Sequence, residues 1–195
     1  MSSRSAHERA AGGREPEHRP GYLVVRADDA GTYVGGLMVT DAAGLPVDFR
    51  YTDPITPTRL QRALYGGVLD RYLRSEVVLR TLLSALEQAP TILLVDDHEL
   101  LEEPIDACPV AVVSASRSDP LGAPGERREQ SPGSFLLQAV EGGHPLRVSL
   151  APAGQDNEAE VADALVALGR RMDPLEPAER VRDALDVIVA GEGEG

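Results

Sequence analysis

The residues best equipped for chemistry lie in one string, Asp96-Asp97-His98-Glu99, after the apolar run Leu93-Leu94-Val95. Carboxylates at the carboxyl end of a buried strand can hold a hard cation such as Mg²⁺, because oxygen ligands meet there at a sheet edge. Asp96, Asp97 and Glu99 are therefore the metal-ligand candidates of a metal-dependent hydrolase or nuclease component. Neighbouring residues on an extended chain point to opposite faces, so only part of the string converges. No second cluster in the sequence completes a coordination shell: His7 and His18 lie in the N-terminal stretch read as a disordered tail and His144 in a hairpin turn. The plainer reading is that Asp97 caps a short helix and Glu99 adds charge to its first turn.

The string from Leu93 to Leu101 resembles the first strand and acidic turn of response-regulator receiver domains. Such a domain also needs an acceptor Asp on a later strand and a Lys. The matching stretch Leu136-Leu137-Gln138-Ala139-Val140 has no Asp, and the chain has no Lys at all. Phosphotransfer is thereby excluded, as are a phosphate-loop Lys, a Schiff-base Lys and a Ser-Lys dyad. The single cysteine, Cys108, excludes an intrachain disulfide and a Cys-based zinc site.

A second constellation is basic. Residues 50–80 carry Arg50, Arg59, Arg62, Arg71, Arg74 and Arg80 against Asp53, Asp70 and Glu76, a local +3 in a chain of net charge −13. Within it, Arg50, Thr52, Arg59, Gln61, Arg62 and Tyr65 form the candidate binding surface, where the third strand meets a helix start that offers N–H groups and Arg forks. The block running from Gly35-Gly36-Leu37 through Phe49-Arg50-Tyr51-Thr52 to Pro57-Thr58-Arg59-Leu60-Gln61 and Tyr65-Gly66 resembles a signature of uncharacterised bacterial proteins. That resemblance covers under a fifth of the chain and brings no activity with it.

The elements that must position these groups emerge from hydrophobic period and turn residues. Strands are expected from Tyr22, over Tyr33–Thr40 and over residues 45–52, as an N-terminal antiparallel meander. Gly35-Gly36 marks a bulge or a close backbone approach. Leu60, Leu64, Val68, Tyr72, Leu79, Leu83 and Leu86 recur at helical spacing, which predicts one long central helix interrupted at Gly66-Gly67. Residues 91–95 and 110–114 form a small parallel unit around a short helix over 97–106. Residues 116–133 read as a long mobile loop, and 135–140 with 146–150 as a hairpin. Two C-terminal helices complete the chain, the first capped by Asn157 with Glu160 completing a capping box. The fold class is α/β (or α+β), with a mixed sheet of five to seven strands. One domain spans 21–190, between disordered tails 1–20 and 191–195. The element order loosely resembles roadblock or longin-like sheets, which are assembly modules.

Composition bounds the rest. An acidic surface with pI near 4.7 repels phosphate backbones at long range, and 4% aromatics without Trp leave little to stack on bases. There is no membrane-length apolar run and no leader with an apolar centre. The expectation is a cytoplasmic, non-catalytic interaction or scaffold subunit of a bacterial multiprotein system. It would have a protein partner, no cofactor, no membrane contact and no direct contact with nucleic acid. The alternatives are the Mg²⁺-dependent hydrolase or nuclease component and a small-anion sensor at the arginine junction.

Overall fold

A computed structural model describes residues 18–102, 105, 108–151 and 156–191. Eight strands form a single mixed sheet: β1 (Pro20–Ala27), β2 (Tyr33–Thr40), β3 (Pro46–Tyr51), β4 (Ile92–Val95), β5 (Val110–Ala115), β6 (Arg127–Ser131), β7 (Ser134–Leu137) and β8 (Leu146–Leu150). Their order is β3-β2-β1-β4-β5-β8-β7-β6. Only β1-β4 and β4-β5 pair in parallel; the flanks are antiparallel. The α/β class and the N-terminal meander are as the sequence implies.

The central strands are apolar without a break because both faces are covered. Tyr22, Val24, Ile92, Leu94, Ala111 and Val113 pack in one core with α4 (Glu158–Gly169) and α5 (Glu176–Val189). Leu23, Val25, Leu93, Val95, Val110 and Val112 pack in another, with the helical run that comes after β3. Alternation along each strand thus feeds two cores, one per face.

That helical run is continuous but not uniform. It passes from α1 (Arg59–Tyr65) through a 3₁₀ turn (Gly66–Val68), α2 (Leu69–Tyr72) and a π-helical stretch (Leu73–Leu79) into α3 (Arg80–Ala85). Thr58 caps α1 in a reciprocal capping box with Gln61. Gly66, at a positive φ of 52°, ends α1. The period that begins at Leu60 is misleading in its first half. Leu60, Leu64 and Val68 are exposed, and α1 buries none of its residues. Only beyond Gly67 does the apolar stripe turn onto the sheet, with Leu73, Val78, Leu79 and Leu82 buried.

Gly35 and Gly36 are a close approach from both sides. A Cβ on Gly35 would lie 2.1 Å from Val78 Cγ1, and one on Gly36 would lie 3.0 Å from Val181 Cγ1. Adjacent residues on β2 face opposite layers, so the pair lets a helix settle against each face. The bulge of this region falls elsewhere, between Val39 and Thr40.

Three further expectations are corrected. The 116–133 segment contains β6, which pairs with β7. All five β6 residues are exposed, so it carries no apolar signature. The helix after β4 is a five-residue 3₁₀ turn, His98–Glu102. Asn157 precedes α4 but makes no side-chain cap bond. The terminal segments read as disordered tails fall almost wholly outside the described residues. No described helix is long and apolar enough to cross a membrane.

Candidate functional site

Of the parallel strands β1, β4 and β5, the middle one ends first, at Val95 in register with Leu23 and Val112, and the acidic turn leaves from there between its longer neighbours. The strand pleat sends its two aspartates apart. Val95 faces the layer of the 59–85 helical run, so Asp96 faces α5 and Asp97 faces back toward the run.

On the α5 side, Asp96 Oδ2 accepts from Arg182 at 2.9 Å, and Arg26 of β1 pairs with Asp186. On the other side, Asp97 Oδ1 accepts from the Glu99 backbone N–H at 2.9 Å, capping the 3₁₀ turn. Asp97 Oδ2 accepts from Arg74 Nη1 at 3.0 Å. Arg74 Nε donates to Asp70 Oδ2 at 2.8 Å, and its Nη1 reaches the Val25 carbonyl at 3.3 Å. Glu99 Oε2 lies 3.9 Å from Arg74 Nε. The Tyr33 hydroxyl donates to Asp70 Oδ1 at 2.6 Å, and its ring centroid lies 5.8 Å from the guanidinium carbon. Three carboxylates therefore surround one guanidinium, which is itself 17% exposed.

The charges respond to this packing. Burial works against the Asp70 carboxylate, but hydrogen bonds from Tyr33 and Arg74 outweigh it and hold Asp70 below its ordinary value. Hydrogen bonding to Asp70 pushes Glu99 up, with burial and the Asp70 and Asp97 charges adding to it. Burial opposes the Arg74 charge, yet its acidic neighbours raise Arg74 above the ordinary arginine value.

Asp96, Asp97 and Glu99 thus do not converge on one point. Asp96 stands on the far face, and both aspartates are held by arginines. Among the described residues no group of three or more His, Cys, Asp or Glu side chains is arranged to hold a metal ion. The basic candidates are also engaged, mostly in stitching the fold. Arg50 pairs with Asp48 and Glu87, both at 3.0 Å. Thr52 is buried and accepts from the Gly35 N–H. Gln61 is a capping residue, and Arg62 donates to the carbonyls of Pro57, Ala30 and Gly31. Tyr65 packs on Tyr72 with ring centroids 4.6 Å apart. Arg59 is exposed and makes no ion pair among the described residues.

Sequence reasoning missed Arg182, Arg26 and the role of Arg74. Opposite charge was the only available signal, and it does not say which acid meets which base across 86 or 23 residues. It also missed a row on the sheet face that Asp97 shares. Val95 registers with Val112, Ser114 with Arg147, Arg147 with Leu136, and Leu136 with Arg128. Cross-strand partners share a face, so Arg147 and Arg128 stand on the Asp97 face, about 10 Å apart at the usual strand spacing. Both are exposed and make no ion pair among the described residues. A cavity of about 550 Å³ opens on the same edge, where β5 ends and β8 begins, lined by Ser116, His144, Arg171, Met172 and Asp173 among others.

No family model matches the chain, and no curated relative matches it. Solved structures do. The endonuclease V of Streptomyces avermitilis superposes with a TM-score of 0.58 at 20% identity, covering 91% of this chain and 83% of its own. The Bacillus subtilis endonuclease V gives 0.57 at 14%, covering 90% and 82%. Ciona intestinalis endonuclease V, in complex with a DNA containing an inosine followed by a ribo-adenosine, gives 0.50 at 15%, covering 89% and 87%. At such identities the likeness is one of fold.

It corrects several expectations. The sheet is similar to that of the endonuclease V structures. The readings of a non-catalytic interaction or complex subunit, of no cofactor and of no direct nucleic-acid contact no longer stand, because nucleases are built on this fold and one of them holds DNA. The physical reason is that net charge describes the far field, whereas contact is decided by a few residues on one face.

Proposed function

We propose that the chain acts on nucleic acid across the carboxyl edge of β1, β4 and β5, as a nuclease-type hydrolase or a component of one, with the Asp96-Asp97 turn at its centre. The observation that supports this reading most is the position of that turn. Two carboxylates leave the middle of three parallel strands, the place where open α/β sheets present their ligands, on a fold shared with endonucleases. Arg147 and Arg128 add guanidinium forks, without ion pairs among the described residues, on the same face, suited to phosphate oxygens.

Phosphodiester hydrolysis at paired carboxylates is ordinarily served by divalent ions that polarise the phosphoryl oxygen. As placed here, Asp96, Asp97 and Glu99 do not fit such an ion, because they face apart and the two aspartates are met by Arg182 and Arg74. What the residues themselves do is bind and release. A phosphate arriving at Arg182 competes with Asp96 for the guanidinium and leaves that carboxylate free beside the strand end. The cavity at the end of β5 is of a volume ordinary for a small-molecule or nucleobase site.

The test is binding and cleavage of labelled single- and double-stranded DNA and RNA. One arm carries an inosine followed by a ribo-adenosine, and all arms run at low salt with Mg²⁺, with Mn²⁺ and with EDTA. Binding that falls steeply with salt, together with cleavage lost in Asp96→Asn, is the expected result. Absence of binding to every arm at low salt would remove the proposal.

A further inference from the structure

We propose that the Arg74 guanidinium is the built-in counter-ion of the Asp70, Asp97 and Glu99 carboxylates, occupying the point between them for which a divalent cation would otherwise compete.

The geometry carries this. Carboxylates from three separate places in the chain close on one guanidinium: Asp70 from α2, Asp97 from the strand end, and Glu99 from the 3₁₀ turn. Uncompensated, three such charges repel one another, and Asp97, the least exposed of them at 25%, also resists desolvation. A cation among them relieves that repulsion, and this chain supplies its own. Arg74 reaches in from the first turn of the π-helical stretch Leu73–Leu79, where the helix is locally widened. It is fixed on several sides, by Asp70 at Nε, by Asp97 and the Val25 carbonyl at Nη1, and by the Tyr33 ring. An ammonium could not serve equally, because the planar fork addresses two carboxylates in different directions at once.

Charge alone does not require an arginine here. Asp96, one residue away, meets a different arginine on the opposite face, 41% exposed, in a single ion pair among the described residues. The two aspartates are therefore unlike. Asp96 is held by a surface pair that a phosphate can displace, and Asp97 is held by an internal one. The counter-ion role rests on the cluster geometry and not on the nucleic-acid reading, so each can fail without the other.

The experiment compares the wild type with Arg74→Met and Arg74→Lys, in EDTA and in Mn²⁺. The wild-type melt is expected to be the same in both solutions. Arg74→Met should melt lower in EDTA and regain stability on Mn²⁺, binding the ion at least about tenfold more tightly than the wild type by calorimetry. The gain should vanish in Arg74→Met with Asp97→Asn, and Arg74→Lys should fall between. An Arg74→Met protein that is neither destabilised nor responsive to Mn²⁺ would overturn the proposal. So that the outcome does not depend on a variant folding, the wild type is also labelled with ¹⁵N and the Arg74 Nε–H resonance followed during a Mn²⁺ titration. Persistence of the signal supports the proposal. Its selective loss to paramagnetic broadening at low Mn²⁺, with the nucleic-acid affinity unchanged, overturns the counter-ion and leaves the function standing.

Discussion

Asp96 and Asp97 are consecutive in the chain, yet they answer to arginines on opposite faces of the sheet, Asp96 to Arg182 of α5 and Asp97 to Arg74 of the π-helical stretch. A pair that reads as one acidic site is two different sites.

Their substitution should separate them. Asp97→Ala removes the cap on the 3₁₀ turn and one partner of a guanidinium that is 17% exposed, a loss expected at about 1–3 kcal/mol. Asp96→Ala breaks a pair whose arginine is 41% exposed, which is expected to cost under about 1 kcal/mol. Urea denaturation of both variants measures this, and equal losses would contradict the assignment.

Gly35→Ala should destabilise strongly, because its Cβ would lie 2.1 Å from Val78 Cγ1 in a closed core. About 1–3 kcal/mol or more is expected from such overpacking. Gly36→Ala, at 3.0 Å from Val181 Cγ1, should cost less. The double variant Gly35→Ala with Val78→Ala should be less unstable than the sum of the two single changes. Additive losses would mean that the clash is not what matters.

Arg128→Ala and Arg147→Ala should leave the melt within about 0.5 kcal/mol of the wild type, as exposed residues without ion pairs among the described residues. On the proposed function, each should weaken nucleic-acid binding alike for all sequences and lower the salt slope by about one. An unchanged slope in the double variant would take the phosphate contacts off this face.

Acid stability should depend on Asp70. Its folded value is held below the ordinary 3.8 by the Tyr33 and Arg74 hydrogen bonds, against the effect of burial. The contribution is therefore complete above 3.8 and is lost as pH falls through the lower folded value. Glu99, raised by its hydrogen bond to Asp70, acts with the opposite sign but is 58% exposed, and its part is correspondingly screened. Melts of the wild type and Asp70→Asn, taken from about pH 6 down to about pH 2, should converge at the acid end, and parallel curves would contradict this.

Cys108 should be inert at neutral pH. Burial, with Glu160 nearby, pushes its thiol up to about 11. Alkylation of the folded protein is expected to stay slow until the pH nears that value. Rapid stoichiometric labelling at neutral pH, without unfolding, would show a thiol far more available than this packing allows.

The strand over Tyr33–Thr40, the unbroken apolar run before Asp96, the Gly35-Gly36 approach and the break at Gly66 were all legible in the amino-acid order, because strand period, burial on two faces and backbone freedom are local properties. So was the divergence of Asp96 from Asp97, which comes from the pleat alone. Other features were not local. The polar strand β6 exists because β7 offers it a ladder, and Leu60 and Leu64 are exposed because α1 buries no face against the sheet. Pairing across 86 residues puts Arg182 on Asp96, and the winding of one helix carries Arg74 in among three carboxylates. Charges act through space and screen one another over a few ångströms, so which arginine neutralises which acid was settled only when the sheet and its two helical layers closed.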